Sequence, residues 1–297
     1  MKVSVRKIDA LRWEMFCEVP KERVLKKQDE VLSEIARHAK IPGFRAGKAP
    51  RDLVQKAHSQ TAREETLKNL IPEAYQEGIR SEKLDPIDLP AIDQVELVDG
   101  LLKFRATFDL RPVVEVKDYR GIPVARPPVE VTDEEIAKSM DYFKKGRGLD
   151  EKAELDDAFA KSMGFPSLEE FKTALKRNME LDKERQSRQD IENQLIDGLL
   201  KNATLDVPRS LVDRQLAGRV EEFSRRLKSY GAKQEVIDKK VEESRKEIQD
   251  AAEKDVRVFL VLKKVAELEN ISVPEGENMA VKVMEFLLKE AKWEGKA

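Results

Sequence analysis

Apolar residues near the start of the chain alternate. Leu11, Trp13, Met15, Cys17 and Val19 occupy every second position, the period of a strand with one buried face, and Val3 and Val5 predict a shorter partner strand. From Pro20 the period lengthens, and Val24, Gln28, Val31/Leu32, Ile35 and Ala39 recur at helical spacing up to a Gly/Pro-punctuated loop, Ile41 to Pro50. Pro50 is placed to begin a second helix, whose apolar positions are Leu53, Ala57, Leu67, Leu70/Ile71, Ala74 and Ile79; Pro72 should kink or split it. Val95 and Leu97, an Asp99-Gly100 turn, and then Leu102, Phe104, Ala106, Phe108 and Leu110 predict a hairpin. Residues 1–112 therefore read as an α+β domain, a small antiparallel sheet with two helices.

Beyond Arg111 the pattern loses its periodicity. Valine and proline dominate, with Pro127-Pro128 at the centre, which predicts an extended and fairly stiff linker over 113–132. The remainder, 133–297, reads as an all-α domain with long helical arms. Glu134 to Gly148 predicts a short helix. Ser167 and Glu170 form a capping box ahead of a helix through Phe171, Leu175, Met179, Ile191, Leu195 and Leu199, whose middle, 181–190, has almost no apolar face and should project into solvent. Pro208 opens a helix stopped by Gly231, and a longer one follows from Lys233 to Glu269, thin in apolar residues at first and dense at VRVFLVLKKVAEL. Pro274 separates a final amphipathic helix that contains Val283, Met284, Phe286, Leu287, Leu288 and Trp293. Such stripes are ordinarily intramolecular core; the alternatives are uncovered surface that contacts other chains, and a coiled coil, for which the spacing drifts too much to sustain heptads.

Composition narrows the chemistry. Of 297 residues 38% are charged and 6% aromatic, so exposed helices are expected. Residues 1–60 carry a net charge of +6 and the rest −8, which would let the basic end face an anionic partner. Cys17 is the single cysteine and His38 and His58 the only histidines, so one chain can assemble neither a disulfide framework nor a Cys/His metal site. Cys17 points inward on the strand register, which makes packing its role, and His38 in a last helical turn reads as a capping residue. The absence of a signal peptide or a membrane-length apolar run predicts a cytosolic protein in a reducing compartment. Lys48 is followed by Ala49 rather than Ser or Thr, so Gly47-Lys48 is no phosphate-cradling loop, and acidic pairs such as Asp156/Asp157 read as solvated helix positions.

That leaves the loop. Gly43 and Gly47 can adopt positive φ, and between them and the prolines lie Phe44, Arg45 and Lys48. Either Phe44 folds back onto the core and Arg45 is solvated, or both are displayed. GFRAGKAP at 43–50 resembles the signature of the trigger factor family of ribosome-associated chaperones; WEMFCEVPKERV at 13–24, VEVTDEEI at 129–136 and the helical run from Phe171 to Leu216 are also similar to that family. The resemblance implies docking on the large ribosomal subunit near the peptide exit, on protein and rRNA, through Gly43, Phe44, Arg45, Gly47, Lys48 and Pro50. It implies binding of unfolded or nascent polypeptides, for which Met179, Leu216, Phe223, Leu227, Met284 and Phe286 are candidates. It implies a cytoplasmic protein with no cofactor, metal, catalytic residue or membrane partner, and a homodimer when free. Three departures stand out. Ala46 replaces a commonly basic residue, the stretch from Thr132 to Leu155 is too short for the FKBP-like isomerase domain that many members insert there, and the chain stops soon after Trp293, which shortens the C-terminal cradle. The alternative reading is a helical scaffold or assembly factor that docks the 43–50 loop on a protein partner; general nucleic-acid binding would instead spread affinity over the basic face.

Overall fold

The computed structural model describes residues 1–42, 44, 48–146, 155–274 and 276–294. In chain order these form β1 (Lys2–Lys7), β2 (Arg12–Val19), α1 (Lys21–His38), α2 (Arg51–Ala57), α3 (Ser59–Glu82), β3 (Ala91–Val98), β4 (Leu101–Asp109), β5 (Glu115–Val116) and β6 (Pro123–Ala125). There follow α4 (Asp133–Gly146), α5 (Asp157–Ser162), α6 (Leu168–Lys201), β7 (Ala203–Thr204), α7 (Arg209–Ser229), α8 (Gln234–Glu243), α9 (Arg245–Leu268), α10 (Met279–Glu290) and β8 (Lys292–Glu294). Most of the described residues are helical, with a small four-stranded antiparallel sheet and two short two-stranded pairings. It divides into two compact units, residues 1–114 with 205–257 and residues 115–204 with 258–297.

The first unit contains the four-stranded sheet, ordered β1-β2-β4-β3 and antiparallel throughout. The alternating residues of β2 meet those of β4: Cys17 lies opposite Phe104 and Met15 opposite Ala106. Together with Leu70, Ala74 and Tyr75 of α3 they make the core. Burial pushes the Cys17 thiol up to about 11, so it packs as a small apolar group. Asp99 and Gly100 both take positive φ, 52° and 82°, the geometry that a two-residue hairpin turn with the native strand twist demands. At the end of β4 the buried Asp109 carboxylate accepts from the Ser210 N–H at 2.6 Å, satisfying an otherwise orphaned donor in the first turn of α7.

The predicted helix after the loop is two helices, and the break is at His58 rather than Pro72. His58 leaves the helical region (φ −122°, ψ 25°), whereas Pro72 lies inside α3, where the buried Leu70, Ala74 and Tyr75 outweigh one missing N–H donor. The predicted helix from Lys233 to Glu269 is likewise two, α8 and α9, broken at Ser244; its thin first part still buries Ile237. The helix expected to end at Gly148 is described as far as Gly146, and Gly148 is outside the described residues.

In the second unit the extended stretch after Val114 is held along its length. β5 pairs with β7, and β6 pairs in parallel with β8. The Gln194 amide of α6 both donates to the Ala125 carbonyl and accepts from the Ala125 N–H, replacing a strand neighbour with a side chain. Ile122 is buried over Gly198, so close that a Cβ there would meet Ile122 Cγ2 at 2.5 Å. The middle of α6 is exposed over most of its surface, as its sequence predicts, but one face of it is covered. Ser187 is 4% exposed and Lys183 Nζ donates to the Glu130 carbonyl and the Glu135 carboxylate, each at 2.7 Å. Polar residues there face the backbone of an extended segment, which needs donors more than it needs an apolar stripe. Trp293, expected in the final helix, is in β8.

Candidate functional site

The loop that closes α1 and opens α2 is anchored at both ends. The Ala39 N–H donates to the Ile35 carbonyl and completes the last turn of α1, while Pro50, in extended geometry, directly precedes α2. The Arg51 guanidinium pairs with the Asp29 carboxylate of α1, fixing the start of α2 against it. Val31 and Leu32 of α1 and Ala62 of α3 form a small buried cluster, and α1 is further tied to α3 by Arg23–Glu77 (2.5 Å) and Lys27–Glu73 (2.8 Å). The Glu73 hydrogen bond raises the Lys27 pKa, which keeps that cation charged.

On this base Phe44 is 43% exposed, held by its N–H donating to the Ile41 carbonyl at 3.1 Å, and Lys48 and Pro50 are exposed as well. The folded-back alternative for Phe44 is therefore not the observed one. Gly43, Arg45 and Gly47, and with them Ala46, lie outside the described residues. Leu53, expected on the apolar stripe of the second helix, is exposed in α2, where the neighbouring Val54 is buried instead, and Leu25 falls off the buried stripe of α1 and is exposed as well. For Leu25, an apolar residue off the predicted stripe was the available signal.

The six candidate client-binding residues are all half-buried: Leu216, Phe223 and Leu227 in the first unit, and Met179, Met284 and Phe286 in the second. Met179 lies at the margin of an aromatic cluster in which Phe143, Phe159 and Phe165 surround Phe171 with ring centroids at 5.7, 5.9 and 5.1 Å. Phe223 and Phe286 each carry a guanidinium on one face, Arg226 at 5.7 Å and Arg120 at 5.6 Å from the centroid. Among the described residues there is no cluster of three or more His, Cys, Asp or Glu side chains able to hold a metal ion, and no helix is long and apolar enough to cross a membrane.

Comparison with known proteins gives this arrangement its context. Residues 1–143 match the family model described as bacterial trigger factor protein, and residues 167–290 the one described as bacterial trigger factor protein C-terminus. The trigger factor of Geobacter sp. (strain M21) is 25% identical over 374 aligned positions, covering 93% of this chain and 86% of that protein. The trigger factor of Thioalkalivibrio sulfidiphilus is 36% identical over 148 residues, half of this chain and 34% of its own. A solved structure of the trigger factor chaperone shares the fold, with a TM-score of 0.55 at 16% identity over 98% of this chain and all of that one. With both terminal regions matched and the fold shared along nearly the whole length, the chain belongs to the trigger factor family of chaperones.

Proposed function

We propose that this protein is a cytoplasmic, ribosome-associated chaperone that docks through residues 1–112 and holds unfolded or nascent chains on residues 133–297. Phe44 carries the reading. A large aromatic left open to water between two anchored helix ends offers a partner an apolar anchor, the kind of residue that dominates an interface. Arg45 supplies a planar cation for a carboxylate or a phosphate of protein or rRNA, Lys48 adds a solvated charge, and Gly43, Gly47 and Pro50 shape the backbone that approaches the partner. The half-buried apolar positions on the helices provide many weak contacts without a sequence requirement, and the free protein can cover part of that surface in a homodimer.

The chaperone works without a prolyl isomerase. The 374-position alignment with the Geobacter protein draws on 93% of 297 residues, about 276, so about 98 positions face gaps in this chain. That is the order of one folded module, roughly 100 residues. Cosedimentation with ribosomes tests docking: the Phe44→Ala/Arg45→Ala protein should pellet with an affinity reduced roughly tenfold or more. Equal pelleting of both proteins would rule the docking role out.

A further inference from the structure

In the second unit, β6 and β8 form a two-stranded sheet whose two outer edges are met differently. The Lys292 N–H donates to the Ile122 carbonyl at 3.0 Å, so Lys292 and Glu294 turn their backbone groups toward β6, and Trp293 between them turns its N–H and C=O away. On the far side of β6 the outward pair belongs to Ala125, and there the Gln194 amide answers both groups, at 2.8 and 3.0 Å. Nothing among the described residues does the same for Trp293, whose side chain is also 47% exposed. Beside it runs a groove of about 780 Å³ between the 126–130 stretch and α6, with Pro127, Pro128, Ile191 and the Trp293 indole as its apolar lining. Arg126 and Arg188 line it together with Glu130 and Glu184, so its charges are of both signs.

An outward donor and acceptor on one strand residue, next to an apolar trough, fit an extended backbone; a helix uses its own N–H and C=O groups internally and has none to offer. We propose that β8 is a strand-pairing site: an extended segment of an unfolded client lies along its outer edge, exchanges two backbone hydrogen bonds with Trp293 and lays an apolar side chain on the indole and the two prolines. The inference rests on the client-binding reading and deepens it. Selection at this place falls to free backbone groups, which every unfolded chain carries and a folded one has already paired, and the mixed charges of the groove favour neither sign. The site continues from α10, which carries the candidate residues Met284 and Phe286 and passes into β8 through Ala291 alone.

The test uses the full-length Trp13→Phe protein, in which Trp293 is the single tryptophan, and a short peptide rich in Val and Leu. A second peptide has the same side chains but N-methyl groups on two adjacent central amides, which removes a donor from either of its edges. The parent peptide should move Trp293 emission to the blue and, by anisotropy of a labelled copy, bind roughly tenfold more tightly than the methylated one, the size expected for lost backbone hydrogen bonds. Trp293→Pro removes the outward donor and leaves the bonds of Lys292 and Glu294 to β6, a change that an edge strand tolerates; it should abolish the difference between the peptides. Trp293→Leu keeps the donor and should retain the difference, and unaltered circular dichroism confirms folding of both variants. Equal affinity for the two peptides, a difference that survives Trp293→Pro, or binding that leaves Trp293 emission unmoved would overturn the strand-pairing site and leave client binding standing. A concentration-dependent blue shift without peptide would give the edge to a second copy of this chain and overturn it as well. Failure of the parent peptide to bind at all would overturn both.

Discussion

Residues 41–50 and 119–128 are alike in composition and opposite in structure. Each is punctuated by glycine and proline and carries arginine beside an apolar residue. In the first, Phe44 stands 43% exposed above an anchored base. In the second, Ile122 and Val124 are buried, Tyr119 and Arg120 both donate to Glu269, and Gln194 meets the backbone of Ala125. The difference lies in what surrounds each stretch rather than within it. Gln194 and Gly198 of α6, Glu269 just beyond α9 and the backbone of β8 hold the later segment, which makes it part of a unit's architecture; the earlier one leaves its aromatic exposed.

The sharpest way to break this contrast is to detach the later stretch. Gly198→Val would place branched carbon where Ile122 now sits, with even the first added atom at 2.5 Å from Ile122 Cγ2. Overpacking of this kind should destabilise the protein by about 1–3 kcal/mol in urea unfolding. Gly218, on α7, is the control. Nothing lies within 4 Å of a Cβ built there, so Gly218→Ala should stabilise by up to about 1 kcal/mol through helix propensity alone. Two helical glycines would then respond with opposite signs, because only one of them is a notch for the extended segment.

A smaller effect is expected from the loop itself. Phe44→Ala removes an exposed ring without opening a cavity, so its unfolding free energy should stay within about 0.5 kcal/mol of the parent protein. A loss of several kcal/mol, of the size seen for buried aromatics, would mean that the ring is part of the core and would remove it from the docking role.

How far the sequence could be read follows the same division. Period-two alternation in β2 and β4 gave the sheet its buried face directly, since Met15, Cys17, Val19, Leu102 and Phe104 are all in the core, and Asp99-Gly100 gave the turn. The place of Phe44 in a loop followed from the glycines and prolines around it, but its exposure did not, because those residue types fit a ring folded back onto the core equally well. The extended stretch was harder, because its partners are distant in sequence: Gln194 and Gly198 lie on α6 and Glu269 just beyond α9. A polar run such as 181–190 looks solvated when judged by hydrophobicity, yet Lys183 and Ser187 face backbone carbonyls of another segment. The break at His58 had no local signal as strong as Pro72, and the apolar neighbours that keep α3 intact across Pro72 act through tertiary packing.

The smallest expected effect is on pH response, and it tests whether the extended segment is clasped as described. The Arg120 guanidinium, and next the Tyr119 hydroxyl, hold the Glu269 carboxyl below its usual range. The hydrogen bond to Glu269 in turn raises the Tyr119 phenol. A depressed carboxyl contributes stability that is present above its unfolded value, about 4.3, and is lost as pH falls through the folded value; a raised phenol contributes stability present below about 10 and lost as pH rises through its folded value. The clasp should therefore hold across neutral pH and loosen at both ends. Trp293 in β8 is opposite Val124 in β6, so with Trp13→Phe it becomes a single reporter on this segment. Its emission should shift as pH falls below the ordinary carboxylate range, and Glu269→Gln should remove that acid-side step while other titrations remain. Arg120 is more than half exposed, which screens the pair and keeps the change small. An acid step of equal size in both proteins would show that Glu269 does not hold the segment, and the contrast with the open loop would then rest on the buried Ile122 and Val124 and on the Gln194–Ala125 pair.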